Sequence, residues 1–368
     1  MKRIALLTSS RADYSLYCPL IKELSQSSDV TLDVIAFGSH LSKKYGYTLE
    51  LIRKDGLSPV CVETPILGGE PTVISRNIGS TVRIFSSFWA QQTYDLIICL
   101  GDRYEMYAAV LASVPYNLPV AHIAGGETTM GAIDEKFRHS LSIFSQLHFT
   151  SAEVYKNKVA GIIGSNSGVY NTGSLSIDNL SKLELLTVQE FKQKFDIDLL
   201  KPTILVTFHP ETVNLKNNSH YLQQLIQCLQ QLTDYQIVTT MPNADTMGDM
   251  IRRGIRDLSE THAHVIAVEN FGTIGYLSCM KHCAMMLGNT SSGFVEAAYF
   301  PKYVINIGDR QTGRFVTNNI FNTPIECEAM LFQVRKIQAL PPSTAENPYG
   351  DGSAARRMSM HILDYLNK

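Results

Sequence analysis

Apolar runs that stop abruptly on a small or charged residue recur along this chain, and that pattern leaves few folds open. Leu96–Leu100 stops at Gly101-Asp102-Arg103, and Pro119–Ile123 stops at Ala124-Gly125-Gly126-Glu127. Both runs have the length and bounding of buried parallel strands, and Glu105–Val114 between them reads as a helix. Similar runs at Arg3–Thr8, Leu32–Phe37, Pro59–Val62, Leu147–Thr150 and Gly168–Asn171 alternate with helical segments. Those helices run to about Leu24, over Tyr47–Lys54 and Thr72–Trp89, up to about Phe144, and over Ala152–Val159. After a polar stretch the alternation resumes with strands at Pro202–Thr207, Gln236–Thr240, His264–Val268, Ala284–Leu287 and Lys302–Ile305. The accompanying helices are His220–Leu232, one to about Leu258, Ile274–His282, one through Tyr299, Cys327–Ala339 and Ala354–Asn367. Strand–helix alternation with short connections implies parallel sheets joined by right-handed crossovers. At 368 residues the chain is too long for one ordinary core. The α/β expectation is therefore two doubly wound, Rossmann-like domains facing a cleft, at 1–174 and 175–353.

Composition removes other classes. Apolar residues make up 45% and charged residues 18%, which excludes global disorder. The formal net charge is −2 and no lysine or arginine run occurs, which argues against nucleic acid as the partner. No apolar segment approaches the roughly 20 residues of a membrane span, and Met1-Lys2-Arg3 leads straight into a strand without a signal peptide. The seven cysteines are odd in number and scattered, as expected of reduced thiols in a cytoplasmic protein. Cys279, His282 and Cys283 share one helix, but a metal site would need a further ligand, and core packing is the default.

In parallel sheets ligands bind outside the carboxyl ends of the strands. Asp102 and Glu127 fall at two such ends, and Asp134, in the acidic start of the next helix, points at the same place. Asp102 and Asp134 could each be simple helix caps. Three carboxylates converging on one face beside two glycines favour proton transfer instead. At the first strand end, Ser9-Ser10-Arg11-Ala12-Asp13-Tyr14 puts small residues and Arg11 where an anion would bind, or else Arg11 is an ordinary exposed loop residue.

The second half carries its own polar set. Gly288-Asn289-Thr290-Ser291-Ser292-Gly293 is a small-residue turn into a helix whose first turns carry Glu296. Ser291 and Ser292 suit phosphate at that helix start, and Glu296 suits a ribose diol. A plain capped helix with a surface glutamate is the alternative. His209 ends the first strand of this half, where it would face the carboxylates of the first. Arg310 and Arg314 lie in a glycine-flanked loop suited to an anion. Tyr276 could cover a nucleobase or simply pack in the core.

These motifs occur in a familiar order and spacing. Ser10–Tyr14, Gly101-Asp102-Arg103, His122–Glu127 with Gly131-Ala132-Ile133-Asp134, His209-Pro210, Gly288–Gly293 and Gly308–Arg314 together resemble the hydrolysing UDP-N-acetylglucosamine 2-epimerases. The resemblance covers nearly the whole chain. It implies a GT-B type fold in which the final helix, 354–368, crosses back to complete the first domain. It also implies UDP held by the second domain, with no metal and no redox cofactor. By motif, Asp102, Glu127, Asp134 and His209 are the catalytic candidates, and Arg11, Ser291, Ser292, Glu296 and Tyr276 the nucleotide-binding ones, with Arg310 and Arg314 beside them. The expected partner is a UDP-sugar, with self-association as a homodimer or homotetramer.

Epimerisation at C2 of an N-acetyl sugar requires a carboxylate base with a raised pKa, and crowded carboxylates supply one. The competing readings are a hydrolysing epimerase of a 2,4-diacetamido-6-deoxy sugar nucleotide, a non-hydrolysing 2-epimerase, a GT-B glycosyltransferase and a non-catalytic binder. The usual Gly-Gln-His and Glu-Ala-Gly-Leu-Arg signatures of the non-hydrolysing enzymes are absent, since Gly38-Ser39-His40 and Ala124-Gly125-Gly126-Glu127 stand there.

Overall fold

The computed structural model describes residues 1–43, 47–65, 70–128, 133–211, 215–241, 248–344 and 347–368. From the amino end come β1 (Lys2–Thr8), α1 (Arg11–Ser25), β2 (Val30–Phe37), α2 (Leu49–Lys54), β3 (Val60–Val62) and α3 (Pro71–Gln91). Then follow β4 (Leu96–Leu100), α4 (Tyr104–Leu111), β5 (Val120–Ile123), α5 (Asp134–Phe144), β6 (Leu147–Thr150), α6 (Glu153–Ile163), β7 (Val169–Asn171) and α7 (Leu175–Ser181). The middle of the chain forms α8 (Val188–Phe195), β8 (Thr203–Thr207), α9 (Asn218–Gln231), β9 (Gln236–Thr240), α10 (Gly248–Thr261), β10 (Val265–Val268) and α11 (Gly272–His282). It continues with β11 (Met285–Gly288), α12 (Glu296–Tyr299), β12 (Tyr303–Ile307), β13 (Ile320–Thr323) and α13 (Cys327–Gln338), and α14 (Ala354–Leu366) closes it.

These elements form two units, Met1–Ser181 with Pro348–Lys368, and Lys182–Asn347. The first holds a sheet in the order β3-β2-β1-β4-β5-β6-β7 and the second one in the order β10-β9-β8-β11-β12-β13. Every recorded strand pair is parallel. Each sheet winds one way from its first strand and then the other, so the order reverses between β1 and β4 and between β8 and β11. Ligand crevices of doubly wound sheets open at such reversals.

Alternation along β1 shows how the first sheet is buried on both faces. Ile4 and Leu6 pack with α1, α7 and α14, while Ala5 and Leu7 pack with Phe85, Trp89, Met106 and Leu141 on the opposite side. In the second unit Ile204 and Val206 of β8 share a core with α9, α10 and α13. No described helix is long and apolar enough to cross a membrane.

The first unit runs past residue 174 to Ser181 and takes the chain back at Pro348 instead of 354. The reason is a cap. Asp178 of α7, buried, accepts hydrogen bonds from the backbone N–H groups of Ala354 and Ala355, both at 2.8 Å. The starting N–H groups of α14 thus find their acceptor in a helix far back in the sequence. Several elements depart from the sequence expectations. Helices α7 and α8 occupy the stretch read as polar, and β13 follows Lys302–Ile305, which was read as the final strand. Ser291–Gly293 forms a single 3-10 turn, and α12 begins only at Glu296.

Candidate active site

In the first unit, the reversal between β1 and β4 brings two loops together. Ser10 caps α1, and its hydroxyl and the N–H and hydroxyl of Ser9 bond the carboxylate of buried Asp13. Arg11, the next residue, is left exposed at the helix start. At the end of β4, the Asp102 carboxylate forms an ion pair with Arg138 of α5. Arg138 is only 6% exposed and also donates to the main-chain carbonyl of Glu127. One guanidinium therefore holds the strand end carrying Asp102 and the loop carrying Glu127. The Glu127 carboxylate accepts from the Ser151 hydroxyl at 2.8 Å.

Asp102 and Asp134 are not the caps of their helices. The capping positions of α4 and α5 are Arg103 and Ile133, neither with a side-chain cap bond. Asp134 is the first residue of α5, and burial, then the charge of Asp102, raises its carboxyl above the ordinary range. Its own N–H, Arg138 and Arg103 oppose that rise without cancelling it. Asp102, Asp134 and the Glu127 main chain thus meet around Arg138. Gly131 and Ala132, which precede Asp134, lie outside the described residues, as do Thr212 and residues 242–247.

The glycines after β5 answer a steric demand. Ala124 already has φ +64°, and Gly126 has φ +79° with the Tyr155 carbonyl 2.5 Å from where a Cβ would stand. Any side chain there would push the Glu127 loop off α6.

In the second unit, the reversal between β8 and β11 gathers the other set. Fully buried Asn289 accepts from the His209 N–H at 2.7 Å and donates to the His209 carbonyl at 2.8 Å, clamping that residue on both sides. Asn218 clamps Glu211 in the same way, at 2.8 and 3.0 Å. The Glu211 carboxylate, raised by burial, accepts from the Arg310 N–H at 3.2 Å. The Arg310 guanidinium and Gln311 amide both donate to the Asn289 carbonyl. This network fixes the loops bearing His209 and Arg310 relative to one another.

Ser291 and Ser292 stand on a 3-10 turn, so the anticipated longer helix start at Ser291 is replaced by a tight turn closed by the Thr290 hydroxyl accepting from the Ser292 N–H. Gly293 lies against Val304 of β12, where an added Cβ would come within 2.9 Å of Cγ1. Glu296 opens α12, and burial pushes its carboxyl up to about 7 against the pull of Arg314. The Tyr276 hydroxyl lies 3.4 Å from the Thr207 hydroxyl and also bonds Ser292, and burial pushes it up to about 12. Tyr276, Ser292, Glu296 and Arg314 therefore form one cluster at the carboxyl end of the sheet. Among the described residues no three His, Cys, Asp or Glu side chains are grouped as metal ligands; Cys279 and Cys283 are buried in the core.

Arg138, Asn289, Asn218, Glu211 and Ser151 were not singled out from sequence. Arg138 had a readable signal, since it follows Asp134 by four residues and so shares its helix face.

Two doubly wound parallel-sheet units, each with charged and small polar groups at its reversal, make up a fold of GT-B type. The chain belongs to the UDP-N-acetylglucosamine 2-epimerase family, whose model matches residues 22–363. It is 33% identical to a Campylobacter jejuni protein named GDP/UDP-N,N'-diacetylbacillosamine 2-epimerase (hydrolyzing), over 88% of this chain and 85% of that one. It is 31% identical to the Legionella pneumophila UDP-N,N'-diacetylbacillosamine 2-epimerase (hydrolyzing), over 97% and 94%. The fold matches the Neisseria meningitidis UDP-GlcNAc 2-epimerase crystallised with UDP-GlcNAc, with a TM-score of 0.78 at 19% identity over 99% of this chain and 100% of that one.

Proposed function

We propose that this chain is a hydrolysing 2-epimerase of a UDP-linked 2-acetamido sugar. The observation that carries the reading is the first unit's carboxylate set, with Asp102 held by buried Arg138 and Asp134 raised beside it. A C2 proton is weakly acidic, so its removal needs a carboxylate with increased proton affinity. One carboxylate takes the proton as the C1–O bond to UDP breaks and the C1–C2 double bond forms. The products of that step are UDP and a 2-acetamidoglucal. Water then adds its hydroxyl at C1, and a carboxyl group returns a proton to C2 on the opposite face. The balance is UDP-sugar plus water giving UDP plus the free 2-epimer. Asp102, Glu127 and Asp134 share the two proton transfers.

His209, Arg11, Ser291 and Ser292 stabilise charge developing on the departing pyrophosphate, with Arg310 and Arg314 beside them. Glu296 holds the ribose and Tyr276 covers the base. Glu296→Ala should weaken UDP binding by about 1–3 kcal/mol, the range for hydrogen bonds to a charged group. Calorimetry measures this directly, and an unchanged affinity would remove Glu296 from the nucleotide site.

The two relatives named for N,N'-diacetylbacillosamine support a 2,4-diacetamido-6-deoxy sugar as the substrate. UDP-N-acetylglucosamine is the second reading, supported by the family's description and giving N-acetylmannosamine. Incubating the protein with each sugar nucleotide in deuterated water tests both. The expected result is UDP release without an acceptor and deuterium at C2 of the free sugar, with higher kcat/KM on the diacetamido substrate. Unlabelled product would end the proton-abstraction mechanism.

A further inference from the structure

His122 is fully buried in β5 and has no role in the chemistry above, yet its ring bonds two of the segments that carry the first unit's carboxylates. Its Nε2 lies 2.8 Å from the Gly101 carbonyl and its Nδ1 3.1 Å from the Ser142 hydroxyl. A carbonyl only accepts, so Nε2 carries the proton and Nδ1 of the neutral ring faces the Ser142 hydroxyl, whose one proton it shares with the Arg138 carbonyl 3.2 Å away. Gly101 directly precedes Asp102. Ser142 lies one turn beyond Arg138 on α5, the helix that begins with Asp134. His122 itself stands on the strand that leads to Glu127.

The fit leaves little slack. The ladder between these strands ends with the Gly101 N–H bonding the Ile123 carbonyl at 3.0 Å, and the imidazole continues the link beyond it. A Cβ on Gly125 would come 3.0 Å from the Ser142 hydroxyl and 3.2 Å from Nδ1. A neutral imidazole gives one donor and one acceptor across a rigid ring, with no charge added beside Arg138. A glutamine could reach Gly101 but would not hold Ser142 at the same time.

We infer that His122 is a positioning residue for the reaction, fixing the Gly101-Asp102 turn against α5 so that Asp102, Arg138 and Asp134 keep their proton-transfer geometry. This rests on the reading under Proposed function. The test compares UDP release by His122→Phe, His122→Gln and Ser142→Ala with the unaltered protein, alone and on an Asp102→Asn background. The expected kcat loss for His122→Phe is about 10-fold or more, the scale of displacing a reacting group by a fraction of an ångström. His122→Gln, which keeps a donor for Gly101, should recover part of it. KM and UDP affinity should not change, because Glu296 and Tyr276, proposed for the ribose and base, lie in the other unit and His122 bonds neither them nor Arg11. On Asp102→Asn the further loss should be under about twofold, since both changes act through one carboxylate. A general loss of folding would act equally on both backgrounds and would refute the positioning role. If the His122 variants do not fold, Ser142→Ala decides: a fall of about threefold or more supports the role, and unchanged kcat overturns it. If the unaltered protein releases no UDP from either sugar nucleotide, the functional reading falls and this inference with it. If it turns over and folded His122 variants match it, the inference alone falls.

Discussion

Amide replacement of Asp102, Glu127 and Asp134 is expected to lower turnover about 100-fold or more in each case, the scale of losing a general acid or base. The three should differ in stability, and that difference separates chemistry from architecture. Asp102→Asn weakens the ion pair to Arg138, whose side chain is 7% exposed, and should cost about 1–3 kcal/mol of folding free energy. Asp134→Asn removes a carboxyl that burial and Asp102 already disfavour in its charged form. Its melting temperature should hold or rise while its turnover collapses. Glu127→Gln keeps an oxygen for the Ser151 hydroxyl and should be nearly neutral for stability. UDP affinity should be normal in all three. Steady-state kinetics beside thermal melting checks this, and near-normal turnover in Asp134→Asn would take it out of the proton-transfer set.

Mild acid is expected to destabilise the first unit steeply. His122 and His148 face each other across β5 and β6, both buried. Burial lowers His122 to about 3 and His148 to about 4, from an ordinary value of 6.5. Because the unfolded chain takes up these protons first, stability is full above about pH 6.5 and falls as pH drops towards the folded values. The linkage slope is roughly 1.4 kcal/mol per pH unit for each proton, so the pair should cost on the order of 5 kcal/mol by about pH 4.5. Denaturant titrations of His148→Gln and the unaltered protein between pH 7 and 4.5 check the sign and size. The variant should lose less over that interval; parallel curves would mean that His148 is not held neutral.

The sheets were legible because buried parallel strands are written as continuous apolar runs, which need no long-range knowledge. Helices α7 and α8 were not, since the stretch that holds them is largely polar and α8 buries one large side chain, Phe191. The capping box at Thr187 and Glu190 was its available signal. In the site, residues on strand-end loops were legible as motifs. The residues that hold those loops were not, because each bond joins elements remote in sequence: Asn289 and His209 are 80 positions apart, and Arg138 and Asp102 are 36 apart. Asn289 even lay inside a quoted motif, but nothing local says that its amide faces inward. The sequence also suggested a helix start at Ser291, where the chain instead makes a 3-10 turn and the helix begins at Glu296.

The cap that Asp178 places on α14 bears on how the molecule is made. The second unit, 182–347, is one uninterrupted stretch, whereas the first needs residues from both sides of it. During synthesis the ribosome therefore delivers β1 to α7, then the entire second unit, and only afterwards the helix that covers α1. In the meantime Tyr14, Tyr17, Leu20 and Leu24 lack the cover that Met358 and Ile362 later provide. The second unit can condense as a self-contained body while the first waits. A released chain that ends at residue 347 should accordingly carry a protease-resistant second unit and a first unit that still exposes an apolar seam.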